Sequence, residues 1–164
     1  MDFFTSDLHY NHKNIIRYCQ RPFADVEEMN TALVANWNET VRAVDHVYLL
    51  GDIAFGDRDT MKDLRRRLNG RITVVRGNHD RGPDAIKAAG FELCVTELCT
   101  VVEGTALYLR HIPDLSASWA PYADFHLCGH VHEKWKRLGN VINVGVDQWG
   151  FRPRRLEEVL AAQV

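Results

Sequence analysis

Five apolar, strand-like runs in this chain each stop on a residue that can bind a metal ion. Phe3-Phe4 leads to Asp7 and His9, and His46-Val47-Tyr48-Leu49-Leu50 leads to Gly51-Asp52. Arg71-Ile72-Thr73-Val74-Val75 leads to Gly77-Asn78-His79. A fourth run ends at His111, and Phe125-His126-Leu127-Cys128 ends at Gly129-His130, with His132 just beyond. This repetition limits what the chain can fold into. In an α/β sheet the carboxyl ends of parallel strands share one edge, and residues far apart in sequence converge in the loops there.

The segments between the runs fit that arrangement. A helix is expected near Asn14 to Cys19, broken by Arg21-Pro22-Phe23. Asp25 reads as a helix N-cap, with Glu28 three positions later completing a capping box. Met29, Leu33, Trp37 and Val41 then form one apolar stripe, which places Trp37 in the core. A basic helix is expected from about Thr60 to Leu68, followed by a turn at Asn69-Gly70. A short helix runs from Pro83 to Ala89 and ends at Gly90. Residues 91–110 read as strands with a turn at Glu103-Gly104, and a loop spans 112–124. Asn140 to Val146 reads as a strand and Arg154 to Ala162 as a closing helix. Strand and helix alternate in the first half, which implies parallel pairing, while the second half is mostly strand. The expectation is a single α/β (α+β) domain over residues 1–164, with two sheets or one large mixed sheet.

Composition narrows the partners. At 164 residues the chain is long enough for a real core without staples. Its net charge of -2 gives no global basic field for tight nucleic-acid binding. No apolar run reaches the roughly 20 residues that cross a bilayer, so no membrane is expected. A first strand is expected at Asp2-Phe3-Phe4-Thr5, and no secretory signal is expected. Cys19, Cys94, Cys99 and Cys128 form no C-x-x-C pair and read as reduced thiols in a cytoplasmic protein.

The residues at the strand ends carry the chemistry. Asp7 and His9, like His130 and His132, stand two positions apart, and in an extended segment such pairs point to one side. Leu8 and Val131 would then face the core. Carboxylate, imidazole and amide donors without thiolates suit Mn, Fe, Zn, Co or Ni. Asp52 is the expected bridging carboxylate between two divalent ions, since Asp7 is tied to His9. Two such ions about 3.5–4 Å apart polarise a phosphoryl oxygen and turn a bound water into a hydroxide nucleophile near neutral pH. His79, beside Asn78 and before Asp80, is placed to act as a general acid, and the neighbouring carboxylate would favour its charged form.

In this order the residues resemble the calcineurin-like metallophosphoesterase superfamily, whose pattern is D-x-H, G-D, G-N-H-[DE], H and G-H-x-H. Here it reads Asp7-Leu8-His9, Gly51-Asp52, Gly77-Asn78-His79-Asp80, His111 and Gly129-His130-Val131-His132. Gly-Asn-His-Asp alone arises by chance in roughly one such chain in a thousand, so the ordered set is a specific signal. Ser6 to Ile16, Arg21-Pro22-Phe23, Gly51 to Gly56 and Asn143-Val144-Gly145-Val146-Asp147 resemble a narrower group of small bacterial and phage phosphoesterases without a cap domain. The resemblance implies two mixed β-sheets packed together with helices on both outer faces. It implies that Asp7, His9, Asp52 and His132 hold one metal and that Asp52, Asn78, His111 and His130 hold the other, with Mn²⁺ the expected ion. It further implies that His79 protonates the leaving group, with Asp80 as its orienting partner. The arginine that protein phosphatases carry in the second block is missing in register, which argues against a phosphoprotein substrate.

Other residues have two readings. His12 could reach a substrate phosphate or pack the loop, and Arg17 and Arg21 line the site only if the first helix borders it. Trp119 and Tyr122 could form an aromatic lid or simply pack. His46 and His126 read as structural. The basic clusters Arg65-Arg66-Arg67 and Arg152-Pro153-Arg154-Arg155 read first as solvated faces. The function expected is hydrolysis of a phosphomonoester or phosphodiester in a small molecule or nucleotide. A nuclease or nucleic-acid-end phosphatase is the alternative, and a non-catalytic metal-binding scaffold the third reading. The sequence is silent on oligomeric state.

Overall fold

The computed structural model describes residues 1–163. In chain order the elements are β1 (Asp2–Thr5), α1 (Lys13–Tyr18), α2 (Val26–Thr40), β2 (His46–Leu49), α3 (Arg58–Arg67), β3 (Arg71–Val75), α4 (Pro83–Ala88) and β4 (Leu93–Val95). There follow β5 (Glu97–Val102), β6 (Thr105–Arg110), β7 (Phe125–Cys128), β8 (Arg137–Leu138), β9 (Val141–Asn143), a 3₁₀ turn at Val146–Gln148, β10 (Arg154–Arg155) and α5 (Leu156–Leu160). They build two five-stranded sheets, in the orders β10-β1-β2-β3-β4 and β5-β6-β7-β9-β8. β1 to β4 are mutually parallel, as are β6, β7 and β9, while β10, β5 and β8 pair antiparallel at or near the edges.

Strand periodicity sets the layers. Successive side chains on a strand point to opposite faces. Phe3, Val47, Leu49, Ile72 and Val74 face one way and pack with the helical residues Met29, Leu33, Trp37, Met61, Leu64 and Ile86. Their neighbours Phe4, Tyr48, Leu50 and Val75 face the other way, onto Leu107, Leu109, Leu127 and Ile142 of the second sheet. Helices therefore cover the outer face of the first sheet, and the sheets meet face to face as expected. The outer face of the second sheet differs from the expectation of helices on both sides. Trp119, from the loop 112–124, packs there with Cys128 and Val141. Its indole N–H donates to the Asp114 carbonyl at 3.0 Å, so this apolar face is sealed by a loop.

The helix starts follow their signals. The Asp25 carboxylate accepts the Glu28 N–H at 2.9 Å, and the Glu28 carboxylate accepts the Ala24 N–H, so the return bond lands one residue before the cap. Two C-terminal expectations need correction. Arg154 and Arg155 are not helical: they pair with Phe4 and Phe3, giving partners to backbone groups of β1 that would otherwise lie on an open edge. The strand expected over Asn140 to Val146 is only Val141–Asn143, because the Asn143 side-chain Oδ1 accepts the Gly145 N–H at 2.8 Å and bends the chain into the 3₁₀ turn.

Candidate metal centre

The parallel strands deliver the expected residues to one edge. β1 runs into Asp7 and His9, β2 into Asp52, β3 into Asn78, β6 into His111 and β7 into His130 and His132. The loops are stitched together by backbone bonds, the N–H groups of Asp7, His9 and Tyr10 donating to the carbonyls of Gly51, Asp52 and Ile53. The Asp7 carboxylate accepts the His130 N–H at 3.0 and 3.1 Å, which ties the ends of β1 and β7 across the two sheets.

The loops are not extended, contrary to the expectation for the two i, i+2 pairs. Asp7, His9, Asp52, His130 and His132 all have positive φ, between 48° and 70°. Non-glycine residues rarely adopt this left-handed region, and such strain clusters at functional sites. Leu8 faces the core as expected, whereas Val131 is only partly buried. Gly77 and Gly129 are required by close approach: a Cβ on Gly77 would collide with Asp52, and one on Gly129 with Ser6 and Asp7.

The metal-type side chains fall into two overlapping groups, Asp7 with His9 and His132 and Asp7 with Asp52 and His111, each with donor atoms within 4.8 Å of one another. Asp52 Oδ2 lies 3.4 Å from His9 Nε2 and 3.5 Å from His111 Nε2. On one side, Asp7 Oδ1 lies 4.0 Å from His9 Nε2 and 3.8 Å from His132 Nε2. On the other, Asn78 Oδ1 lies 3.0 Å from His111 Nε2 and 2.9 Å from His130 Nδ1. Donor atoms that each stand ~2.1 Å from one ion are roughly 3–4 Å apart, so these spacings suit first-row divalent cations.

The imidazoles are aimed. His111 Nδ1 is held by the Leu50 carbonyl at 2.6 Å, and His132 Nδ1 by Asp147 Oδ2 at 3.1 Å. His9 Nδ1 lies 3.4 Å from His12 Nδ1. In each case Nε2 is left to face the carboxylates, the arrangement by which outer partners orient metal-bound histidines. His9 Nε2 is buried without any hydrogen-bond partner among the described residues. Burying such an atom unpaired is costly unless something else satisfies it, so the residues present fit a cation.

Charges follow the crowding. Burial raises the Asp7 carboxyl, offset in part by His111 and His132. Burial also acts to raise Asp52, but the bond and charge of His111 and the His79 N–H bring it down to about 2. Burial pulls His9 down to about 3 despite Asp52. His111 loses to burial but gains more from Asp52 and Asp7, and rises to about 9. A cation at this edge would displace a proton from His111.

The other expected residues separate. His79 is exposed, its ring centroid 5.9 Å from that of His9. Asp80 does not orient it. Its carboxylate accepts the backbone N–H groups of Asp52, Ile53 and Gly77 at 2.8–2.9 Å, locking the second and third loops together. Arg21 is not a substrate contact either. Its fully buried guanidinium donates to the carbonyls of Asp7 and Leu8 and to both oxygens of Asp147. Arg17 lies in a groove with Lys13, Asn14 and Asp25 that contains none of the metal-type residues. His12 borders the centre, stacked on Phe55 at 4.6 Å. Trp119 is buried and Tyr122 belongs to a separate groove with Glu97 and Cys99, so neither lids the centre. His46 bonds Asp2 and Thr73, and His126 bonds Asp114 and Tyr108, both structurally.

Asp147 was missed as a site residue. It joins Arg21 to His132, and its sequence signal is its place at the end of the Asn143-Val144-Gly145-Val146-Asp147 motif. Cys19 stands near His132 and Asp147, but burial pushes its thiol up to about 12, which keeps it protonated.

Comparison with known proteins fits this geometry. The family model for the calcineurin-like phosphoesterase superfamily domain matches residues 3–147. An uncharacterised protein of Methanocaldococcus jannaschii is 35% identical over 169 aligned residues, covering 96% of this chain and 88% of that protein. The gene 66 protein of Mycobacterium phage L5 is 30% identical over 182 residues, covering 90% and 86%. A protein of unknown function from Aquifex aeolicus, known by crystal structure, aligns with a TM-score of 0.75 and 25% identity over 97% of both chains.

Proposed function

The chain belongs to the calcineurin-like phosphoesterase superfamily, and from that premise we propose that it hydrolyses phosphomono- or phosphodiester bonds at a centre of two divalent cations. The observation that carries this is the Asp52 carboxylate lying between His9 and His111, at 3.4 and 3.5 Å, with His9 Nε2 buried and unpaired. Asp7, His9, Asp52 and His132 would hold one ion, and Asp52, Asn78, His111 and His130 the other. Oxygen and nitrogen donors without a thiolate support Mn²⁺, with Fe, Zn, Ni or Co as alternatives. When bound, two such ions polarise the phosphoryl oxygen and acidify water.

The chain's own residues supply the rest. His79, exposed beside His9, donates the proton that the departing alkoxide needs. Asp80 keeps the His79 loop against the Asp52 loop. The substrate is a phosphate ester of a small molecule or a nucleotide. Four free thiols suit a reducing, cytoplasmic setting, and no helix among the described residues is long and apolar enough to cross a membrane.

The test is hydrolysis of 4-nitrophenyl phosphate and bis(4-nitrophenyl) phosphate by metal-stripped protein, with and without added Mn²⁺. Metal-dependent turnover of either ester supports the reading, and the ratio of rates separates monoesterase from diesterase. No turnover of any phosphate ester with any of these metals would overturn it.

A further inference from the structure

A groove of about 310 Å³ opens directly off the metal-type residues. His9, His79 and His132 form its inner end. One wall is a face of α1, with Ile15, Tyr18 and the ring of His12 just before it; the other is the turn carrying Glu133 and Lys134. The α1 wall presents the apolar side chains Ile15 and Tyr18, and Phe55 lies behind His12 outside the groove lining. Among the described residues, three aromatic side chains are largely exposed: Tyr18 (58%), Phe55 (54%) and Tyr122 (73%). Two of them touch the same ring. Phe55 stacks on His12 at 4.6 Å with 16° between the planes, and Tyr18 meets His12 edge-on at 6.4 Å and 77°.

Scattered exposed aromatics need no explanation, but aromatics gathered around one ring beside a catalytic centre do. His12 is also fixed from behind by His9, at 3.4 Å between their Nδ1 atoms, so the cluster is preorganised. Flat aromatic groups stack on such surfaces, and stacking tolerates any base because every base has a π-face. Lys134 makes no ion pair within 4.0 Å among the described residues and leaves a cation at the rim.

We infer that this groove binds the alcohol portion of the ester, and that this portion carries a planar aromatic ring, as in a nucleotide, stacked against Tyr18 and His12. The inference rests on the phosphoesterase reading for what lies at the inner end of the groove. It adds the substrate class: a ring-bearing phosphate ester is preferred to a ring-free one.

Adenosine 5′-monophosphate and ribose 5-phosphate test it, because they share the phosphate and the leaving oxygen and differ at C1, which carries the base in one and a hydroxyl in the other. Binding of each to the metal-free full chain is measured by equilibrium dialysis, and hydrolysis by the Mn²⁺-loaded chain. The base should improve binding about tenfold, and Tyr18→Ala should remove most of that advantage. Tyr122→Ala, an exposed aromatic on a separate groove, should leave the advantage intact. Equal binding of the two compounds, or loss of the preference in Tyr122→Ala and not in Tyr18→Ala, overturns the inference. The two readings fail separately. A base preference in binding without turnover of any ester would sink the phosphoesterase reading alone, and turnover of both compounds with no base preference would sink the groove alone.

Discussion

The substitution Asp147→Asn tests how the centre is held from behind. Asp147 Oδ1 accepts Arg21 Nε at 2.8 Å, and Oδ2 accepts Arg21 Nη2 at 3.0 Å and His132 Nδ1 at 3.1 Å. Both partners of the ion pair are buried, at 0% and 3% exposure. Removing one charge from a buried pair costs about 3–5 kcal/mol, because the other is left uncompensated. Arg21 keeps the carbonyls of Asp7 and Leu8, and asparagine keeps one oxygen, so the cost falls near the lower figure, about 3 kcal/mol. For a chain of this size that lowers Tm by about 6–12 °C. Thermal unfolding in chelator, followed by circular dichroism, reads this without any contribution from metal. Loss of the outer partner of His132 should also weaken metal affinity about 10–100-fold, read by titration with Mn²⁺. The double variant Arg21→Met, Asp147→Leu should recover part of the lost stability, since no charge stays unpaired. The pH dependence has a definite sign. Burial acts to raise the Asp147 carboxyl, but His132 and Arg21 together hold it below its ordinary value. Its contribution is complete above about pH 4 and is lost as pH falls through the depressed value. A Tm drop under about 2 °C in Asp147→Asn would refute the reasoning.

Further expectations concern the proton donor, the cations and the acid limb. His79→Ala should retain the metals and slow turnover about a hundredfold for esters with poor leaving groups, and much less for 4-nitrophenyl esters; equal losses would contradict the acid role. Chelation should lower Tm, because ions at a hundred times their Kd stabilise by about 2.7 kcal/mol, and calorimetry with and without Mn²⁺ measures the difference. Asp45 is drawn down to about 2, first by the Arg42 backbone N–H. It should therefore stabilise fully above pH 4 and lose that effect towards pH 2, so Asp45→Asn should flatten the fall in stability over that window.

Much of the centre was legible because strand ends and ligand residues coincide in the sequence. Asp7, Asp52, Asn78, His111 and His130 each close an apolar run; parallel pairing brings the first three to one end of the first sheet and the last two to one end of the second, and the packing of the sheets brings the two sets together. What surrounds them was not legible. Asp80 follows His79 in sequence, which suggests an ion pair, but its oxygens are consumed by three backbone N–H groups that only the folded loops bring near. Arg21 looks like a surface cation on a short loop, yet its partner is 126 residues away. The left-handed backbone at Asp7, His9, His130 and His132 is only weakly marked in residue type, since Asp and His enter that region more often than most side chains but none is glycine. An extended segment would bury Val131, but the left-handed backbone at His130 and His132 leaves it only partly buried. Arg154 and Arg155 read as helix by local propensity, but the open edge of β1 claims them as strand.

The most direct test of the central claim is the metal content of the purified chain after saturation with Mn²⁺ and removal of loosely bound ions, compared between the unaltered protein and Asp52→Asn. The account expects two ions per chain, and a marked loss of both in Asp52→Asn, because its carboxylate reaches His9 on one side and His111 on the other. A single ion per chain, or two ions retained unchanged in Asp52→Asn, would contradict the shared-carboxylate centre.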